Sequence, residues 1–209
     1  MQRLLEAELY LKLEKCKFHK ETIRYLGLII STKGISMDED KVDTVQNWSR
    51  EKNTKTRRLN NLFEVLQFWG FCNYYRWFIP KYSEKEEPWT RVRKKDEPFV
   101  WESEQQLAFE TMITAFTTAP VLLHFDHERE VINETNASNY MSVGVLSQCD
   151  DEGVLHSVAY YSKKHTPAEC NYDIYHKELM AVIKALKEWR PECEGAGYPV
   201  QLVTDHKNR

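Results

Sequence analysis

No apolar run in the 209 residues approaches the length of a membrane span. The first fifteen, MQRLLEAELYLKLEK, are broken by charges every few positions and form no signal-peptide core. Net charge is scarce as well: 29 Lys and Arg against 32 Asp and Glu leave a formal −3, so no global basic field draws in nucleic acid, and such a partner must be met by local patches. The cysteines Cys16, Cys72, Cys149, Cys170 and Cys193 are odd in number and widely spaced, without a CxxC pair, which suits reduced thiols inside a cell better than a disulfide framework. Cys16 with His19, and His124 with His127, lack partners at the spacing of a four-ligand zinc site. No Gly-x-Ser-x-Gly elbow supports Ser-His-Asp catalysis, and there is no internal repeat or low-complexity tract. These absences point to a soluble intracellular protein, cytoplasmic or nuclear, without membrane contact. Its sequons at Asn47, Asn133 and Asn136 then never meet the glycosylation machinery.

What is present is apolar material for a core, 42 % of the residues. Leu4, Leu5, Leu9 and Leu13 predict a helix over residues 1–15. A strand pair is expected next: residues 24–31, RYLGLIIS, read as an apolar strand, and Lys33-Gly34 as the turn before the following segment. Asp38 caps a short helix through Trp48 with Val42 and Val45 inward. The cationic stretch 49–61, SREKNTKTRRLNN, has no apolar period and reads as a solvated loop, with a nucleic-acid contact as the alternative. Residues 62–79 then bring Leu62, Phe63, Leu66 and Phe68 beside an aromatic block that Pro80 ends. That block is either an aromatic helical core or, through Tyr74, Tyr75, Arg76 and Lys81, a surface that stacks on and grips nucleic acid. Arg91, Arg93, Lys94 and Lys95 make the densest basic cluster, suited to a linker face or to phosphate contacts. Ser103 and Gln106 form a capping-box pattern for a helix carrying Leu107, Met112, Ile113 and Phe116.

After Pro120 the pattern changes to strands. Residues 131–136, 140–148 and 154–161 read as a three-stranded meander. Tyr175, Leu179, Val182, Leu186 and Trp189 then mark one face of an amphipathic helix that Pro191 stops. A last strand over residues 199–204, reached through that helix, is expected to lie parallel to a neighbour. Asn136 near the end of the first strand, Glu178 on the helix and Asp205 at the end of the last strand have the layout of a carboxylate site for divalent cations. Two magnesium ions roughly 4 Å apart can activate water and stabilise a phosphodiester's leaving oxygen, provided several carboxylates hold them.

The motifs KCKFH (15–19), YLGLIISTKGISMDEDKV (25–42), GFCNYYRWFI (70–79), FVWESEQQLAFETM (99–112), APVLLHFD (119–126), ETNASNYMSVGVLSQ (134–148), VAYYSKKHTPAECNYDIYHKELMAVIKALKEWR (158–190) and VTDHKN (203–208) occur in a recognisable order. On them the chain resembles the pol polyprotein of Ty3/gypsy-type long-terminal-repeat retrotransposons, over nearly its whole length. The resemblance implies an α+β region with a thumb-like helical part, followed by an incomplete α/β ribonuclease H-like mixed sheet. It divides the chain into the end of a reverse-transcriptase palm with its primer grip (1–36), a thumb-like helical region (37–98), a linking helix and loop (99–130) and a truncated ribonuclease H-like domain (131–209). The implied activities are RNA-directed DNA synthesis and metal-dependent hydrolysis of RNA in RNA–DNA hybrids. The implied cofactor is Mg²⁺ or Mn²⁺, and the implied partners are an RNA–DNA hybrid and the remaining pol segments.

Departures from the family pattern qualify that activity. Where the family has Thr-Asp-Ala-Ser, this chain has Thr135-Asn136-Ala137-Ser138, so the first catalytic acid is an amide. Glu134 shares the strand face but lies roughly 6.5 Å away along it. Glu178 and Asp205 match the second and third acids; the fourth, and the polymerase's Tyr-x-Asp-Asp hairpin, are expected outside this sequence. The stretch between Trp48 and Gly70 is about eight residues longer than the family pattern, lacks its Pro-rich turn and reads as eroded or misassembled coding sequence. The expectation is an inactive remnant of a reverse transcriptase and ribonuclease H. The alternatives are a non-catalytic nucleic-acid-binding module and an unstable open-reading-frame product without a cellular role.

Overall fold

A computed structural model describes residues 2–48, 57–94 and 97–204. Most of the expected cationic loop at 49–61 therefore lies outside the described residues, as do Lys95 and Asp205. The first helix is shorter than its leucine spacing predicts: α1 spans Gln2–Glu6, Glu8 turns left-handed at φ 55°, and Leu9 is exposed. With no surface to receive Leu9, a helix of this length does not propagate. After a 3₁₀ turn at Leu13–Lys15 come three antiparallel strands, β1 Thr22–Tyr25, β2 Leu28–Ser31 and β3 Gly34–Met37. Residues 24–31 are thus two strands rather than the expected one, because Leu26 (φ 49°) and Gly27 (φ 80°) make a left-handed two-residue turn between them.

Helix α2, Glu39–Gln46, starts on the Asp38 carboxylate, which accepts from the Asp40 N–H at 3.1 Å, and it buries Val45. Helix α3, Leu62–Tyr74, starts on Asn61, whose side chain accepts from the Glu64 N–H at 2.9 Å. It ends before the expected Ile79 and passes into a 3₁₀ turn at Arg76–Phe78. Its inward face is Val65, Phe68 and Cys72, whereas Phe63 and Leu66, expected inside, are exposed. Short helices α4 (Tyr82–Lys85) and α5 (Trp89–Val92) lead to α6, Ser103–Thr117. The cap of α6 lies one residue earlier than predicted: the Glu102 N–H donates to Gln105 Oε1 at 3.0 Å, while Gln106 Oε1 accepts from the Trp101 indole. Met112, Ile113 and Phe116 are buried as expected, but Leu107 is exposed and Phe109 takes its place inside. Phe68 sits at the centre of this core, its ring centroid 5.2 Å from Trp48, 5.5 Å from Trp89 and 4.8 Å from Phe109. The aromatic block thus acts chiefly as a core.

The second sheet consists of β4 (Ile132–Ala137), β5 (Met141–Cys149), β6 (Leu155–Lys164) and β7 (Gln201–Thr204), in the order β6-β5-β4-β7. The meander is as read from the sequence, and β7 runs parallel to β4. Between β6 and β7 lie α7 (Pro167–Cys170), α8 (Ile174–Glu188) and α9 (Arg190–Glu194). Helix α8 buries Trp189 as predicted but is otherwise rotated from its predicted face: Lys177, Ala181 and Ala185 are buried, whereas Tyr175 and Leu179 are exposed. The small alanines let the helix lie close to the sheet, and a Cβ at Gly144 would come within 3.5 Å of the Ala185 methyl and 3.2 Å of the Trp189 ring. The mixed architecture matches the expected fold class. Two backbone bonds of 2.8 Å between Ile35 and Leu122 tie the first sheet to the strand region, and the Ser83 N–H donates to Ser162 Oγ at 3.0 Å across the helices and the second sheet. No described helix is long and apolar enough to cross a membrane.

Candidate active site and nucleic-acid interface

Strand β4 alternates strictly: Asn133, Thr135 and Ala137 are buried, and Glu134 and Asn136 are exposed. Thr135 pairs with Gly144, which lies under Trp189 and Ala185, so the buried set faces α8. Asn136 therefore belongs to the opposite face. There it lines an open groove of about 380 Å³ together with Glu134, Val143, Val145, Tyr160 and Val203. Lys81, held in a left-handed conformation at φ 51° just before α4, forms part of the rim.

Glu178 comes to the same strand ends from the helix-covered side. Its Oε2 accepts from Thr204 Oγ1 at 3.0 Å, and Thr204 stands opposite Thr135 in the parallel register. Thr204 thus couples α8 to the end of β7; its only signal in the sequence is its place in the VTDHKN motif. The last described residue of β7 lies one position short of the level of Asn136. Among the described residues no group of three or more His, Cys, Asp and Glu is placed to share a metal ion. The described donors here are the neutral Asn136 amide, the Glu134 carboxylate two residues back on the same strand face and the Glu178 carboxylate, which already accepts a hydrogen bond. Among the described residues that set falls short of the several carboxylates that a pair of divalent cations needs to offset its charge.

The residues singled out for nucleic-acid contact are dispersed. Tyr75 is buried at 3 % exposure, donates to Gly27 O at 3.3 Å and has its pKa pushed up to about 12 by burial, so its ring is not available for stacking. Tyr74 is half exposed and donates to Leu26 O at 3.0 Å. Arg76 pairs with Glu188 at 3.4 Å. Arg93 lies 4.4 Å over the Trp69 ring and 3.6 Å from Glu86, inside the helical core, and Lys94 pairs with Glu97 at 3.1 Å. Lys81 and Arg91 are exposed.

Residues 101–202 match the family described as the RNase H-like domain found in reverse transcriptase. The chain is 37 % identical over 208 residues to the transposon Tf2-3 and Tf2-4 polyproteins of Schizosaccharomyces pombe. That alignment takes in 100 % of the chain but 15 % of each polyprotein, so the chain spans about a seventh of these relatives' length. Among solved structures, the foamy viral protease-reverse transcriptase in complex with an RNA/DNA hybrid superposes with a TM-score of 0.74 at 23 % identity, covering 94 % of this chain and 25 % of that one. The same enzyme in complex with dsDNA gives 0.73 at 23 % identity over 99 % of this chain and 41 % of that one. At that identity the likeness speaks for the fold.

Proposed function

This chain belongs to the Ty3/gypsy-type retrotransposon pol family, as a reverse-transcriptase segment running into an RNase H-like domain, and from that premise we propose that it binds nucleic acid without cleaving RNA efficiently. The observation that carries this reading is Asn136. An amide at the end of β4 keeps a carbonyl oxygen but no charge, and Glu134 lies two residues back along the strand. Without that charge, ion binding at the strand ends is weak, and water activation by Mg²⁺ or Mn²⁺ is lost with it. Glu178 and Asp205 are the remaining metal-binding candidates, Glu178 held by Thr204.

Binding is proposed to persist because it needs only phosphate contacts and stacking. Lys81, Arg91 and Lys94 supply positive charge and Tyr74 supplies an accessible ring, whereas Tyr75 and Arg93 serve the core. The partner is an RNA–DNA hybrid or duplex, met in the intact element alongside the other pol segments. A fluorescent RNA–DNA hybrid tests both halves of the proposal. Binding that weakens steeply with salt and no cleavage in Mg²⁺ or Mn²⁺ are the expected results. Metal-dependent cleavage abolished by Glu178→Ala would overturn the loss of catalysis, and absence of binding at low salt would overturn the retained grip.

A further inference from the structure

A second cleft lies at the other end of α8 from Glu178. It has a volume of about 360 Å³ and runs between the 3₁₀ turn Arg76–Phe78, the outer strand β6 and the C-terminal end of α8. At about 1.5 Å per residue, the helix separates Glu188, on this cleft, from Glu178 by roughly 15 Å. The volume falls in the range of small-molecule sites, about 300–1,000 Å³.

Its lining combines two chemistries. Trp77 brings partly exposed aromatic surface, while Tyr161 and Trp189 are buried behind the lining with their rings edge to face at 6.2 Å. Arg76 and Lys163 stand against the single carboxylate of Glu188, which leaves one positive charge in excess. The Arg76–Glu188 pair is 3.4 Å long and about half exposed on both sides, so an incoming anion can compete for the guanidinium at little cost. Tyr82 lines the cleft at 2 % exposure, and its hydroxyl has no hydrogen-bond partner among the described residues. Tyr161 stays protonated, its pKa pushed up to about 12 by burial and then by Glu188.

We infer that this cleft is a binding site for a nucleoside monophosphate unit, its base laid against the partly exposed Trp77 ring and its phosphate held by Arg76 and Lys163. An aromatic ring next to an anion is the ligand chemistry that uses both halves of the lining. Neither half would retain adenosine or inorganic phosphate well by itself. Free nucleotides and the phosphorylated end of a single strand share that chemistry. The site is independent of hybrid binding and of Asn136.

Isothermal titration of the intact chain tests it with four probes: adenosine monophosphate, adenosine, inorganic phosphate and a 5′-phosphorylated oligonucleotide. Saturable binding of the monophosphate is expected, with adenosine and phosphate each weaker by about tenfold or more. Arg76→Gln and Lys163→Gln should each weaken it about tenfold, while Glu188→Gln, which removes the competing carboxylate, should tighten it. Oligonucleotide binding with the same Arg76 and Lys163 dependence supports the site and names a strand end as a source; binding of the monophosphate alone supports it and names the free nucleotide. Lys163 is exposed, so its variant serves even if Arg76→Gln does not fold. No heat from either nucleotide probe, or binding unmoved by both cation substitutions, overturns the inference.

Discussion

Asn133→Leu should stabilise this protein. Asn133 is fully buried on the α8 side of β4, opposite the equally buried Leu146, and neither its Oδ1 nor its Nδ2 has a hydrogen-bond partner among the described residues. Burying polar atoms without partners costs about 1–3 kcal/mol. Leucine has the same heavy-atom branching, so it fills the position without a cavity and removes the penalty. The expected gain is about 2 kcal/mol, which for a protein of this size corresponds to a rise in Tm of about 4–8 °C. Scanning calorimetry of the two proteins, with urea unfolding as a second readout, measures it. An unchanged or lower Tm for the variant would refute the reasoning, because it would mean that the amide is satisfied, for example by an internal water that the leucine side chain strands.

Further perturbations address other parts of the fold. Gly34→Ala should destabilise by about 2–4 kcal/mol, since φ is +137° and the new Cβ would collide with the Leu122 carbonyl oxygen; chemical denaturation reads it, and a loss under about 1 kcal/mol would contradict the close approach. Glu169 has its pKa lowered to about 2, first by the Lys184 hydrogen bond at 2.7 Å and then by the Thr166 N–H at 2.8 Å. Its folded pKa lies below the unfolded one, so its stabilisation is complete above the ordinary carboxylate range and disappears as pH falls from about 4.5 towards 2. Glu169→Gln should therefore cost about 1–2 kcal/mol at neutral pH, after allowance for its partial exposure, and flatten the stability profile over that acid window. Equal acid slopes in the two proteins would exclude this role.

Much of the second sheet is legible in the sequence because its signals are local. The turn residues 149–153 separate β5 from β6, short runs bounded by turn signals mark the three strands, and the helix after them makes β7 parallel to β4. Residue pairing across the fold is not legible. The stripe of Tyr175 and Leu179 outweighs Ala181 and Ala185 in hydrophobicity, yet the alanines face the sheet because Gly144 and Trp189 demand a close approach. Leu26-Gly27 splits one apolar run into two strands because Leu26 adopts a left-handed φ that leucine rarely takes. At the candidate site, Asn136 and Glu178 are recognisable from family motifs, whereas Thr204 emerges only from its hydrogen bond to Glu178. Tyr75 and Arg93 are of residue types that suit nucleic-acid surfaces, and periodicity alone does not assign them to the core.

The central claim is that a missing charge at position 136 is what deprives the strand ends of their ions. It is tested most directly by Mn²⁺ binding to the wild-type chain and to Asn136→Asp, followed by the paramagnetic resonance of free Mn²⁺. A restored carboxylate adjoining the end of β7 should raise affinity by about tenfold or more, with Asn136→Gln unchanged from wild type. Equal Mn²⁺ affinity in the wild type and Asn136→Asp would contradict the account.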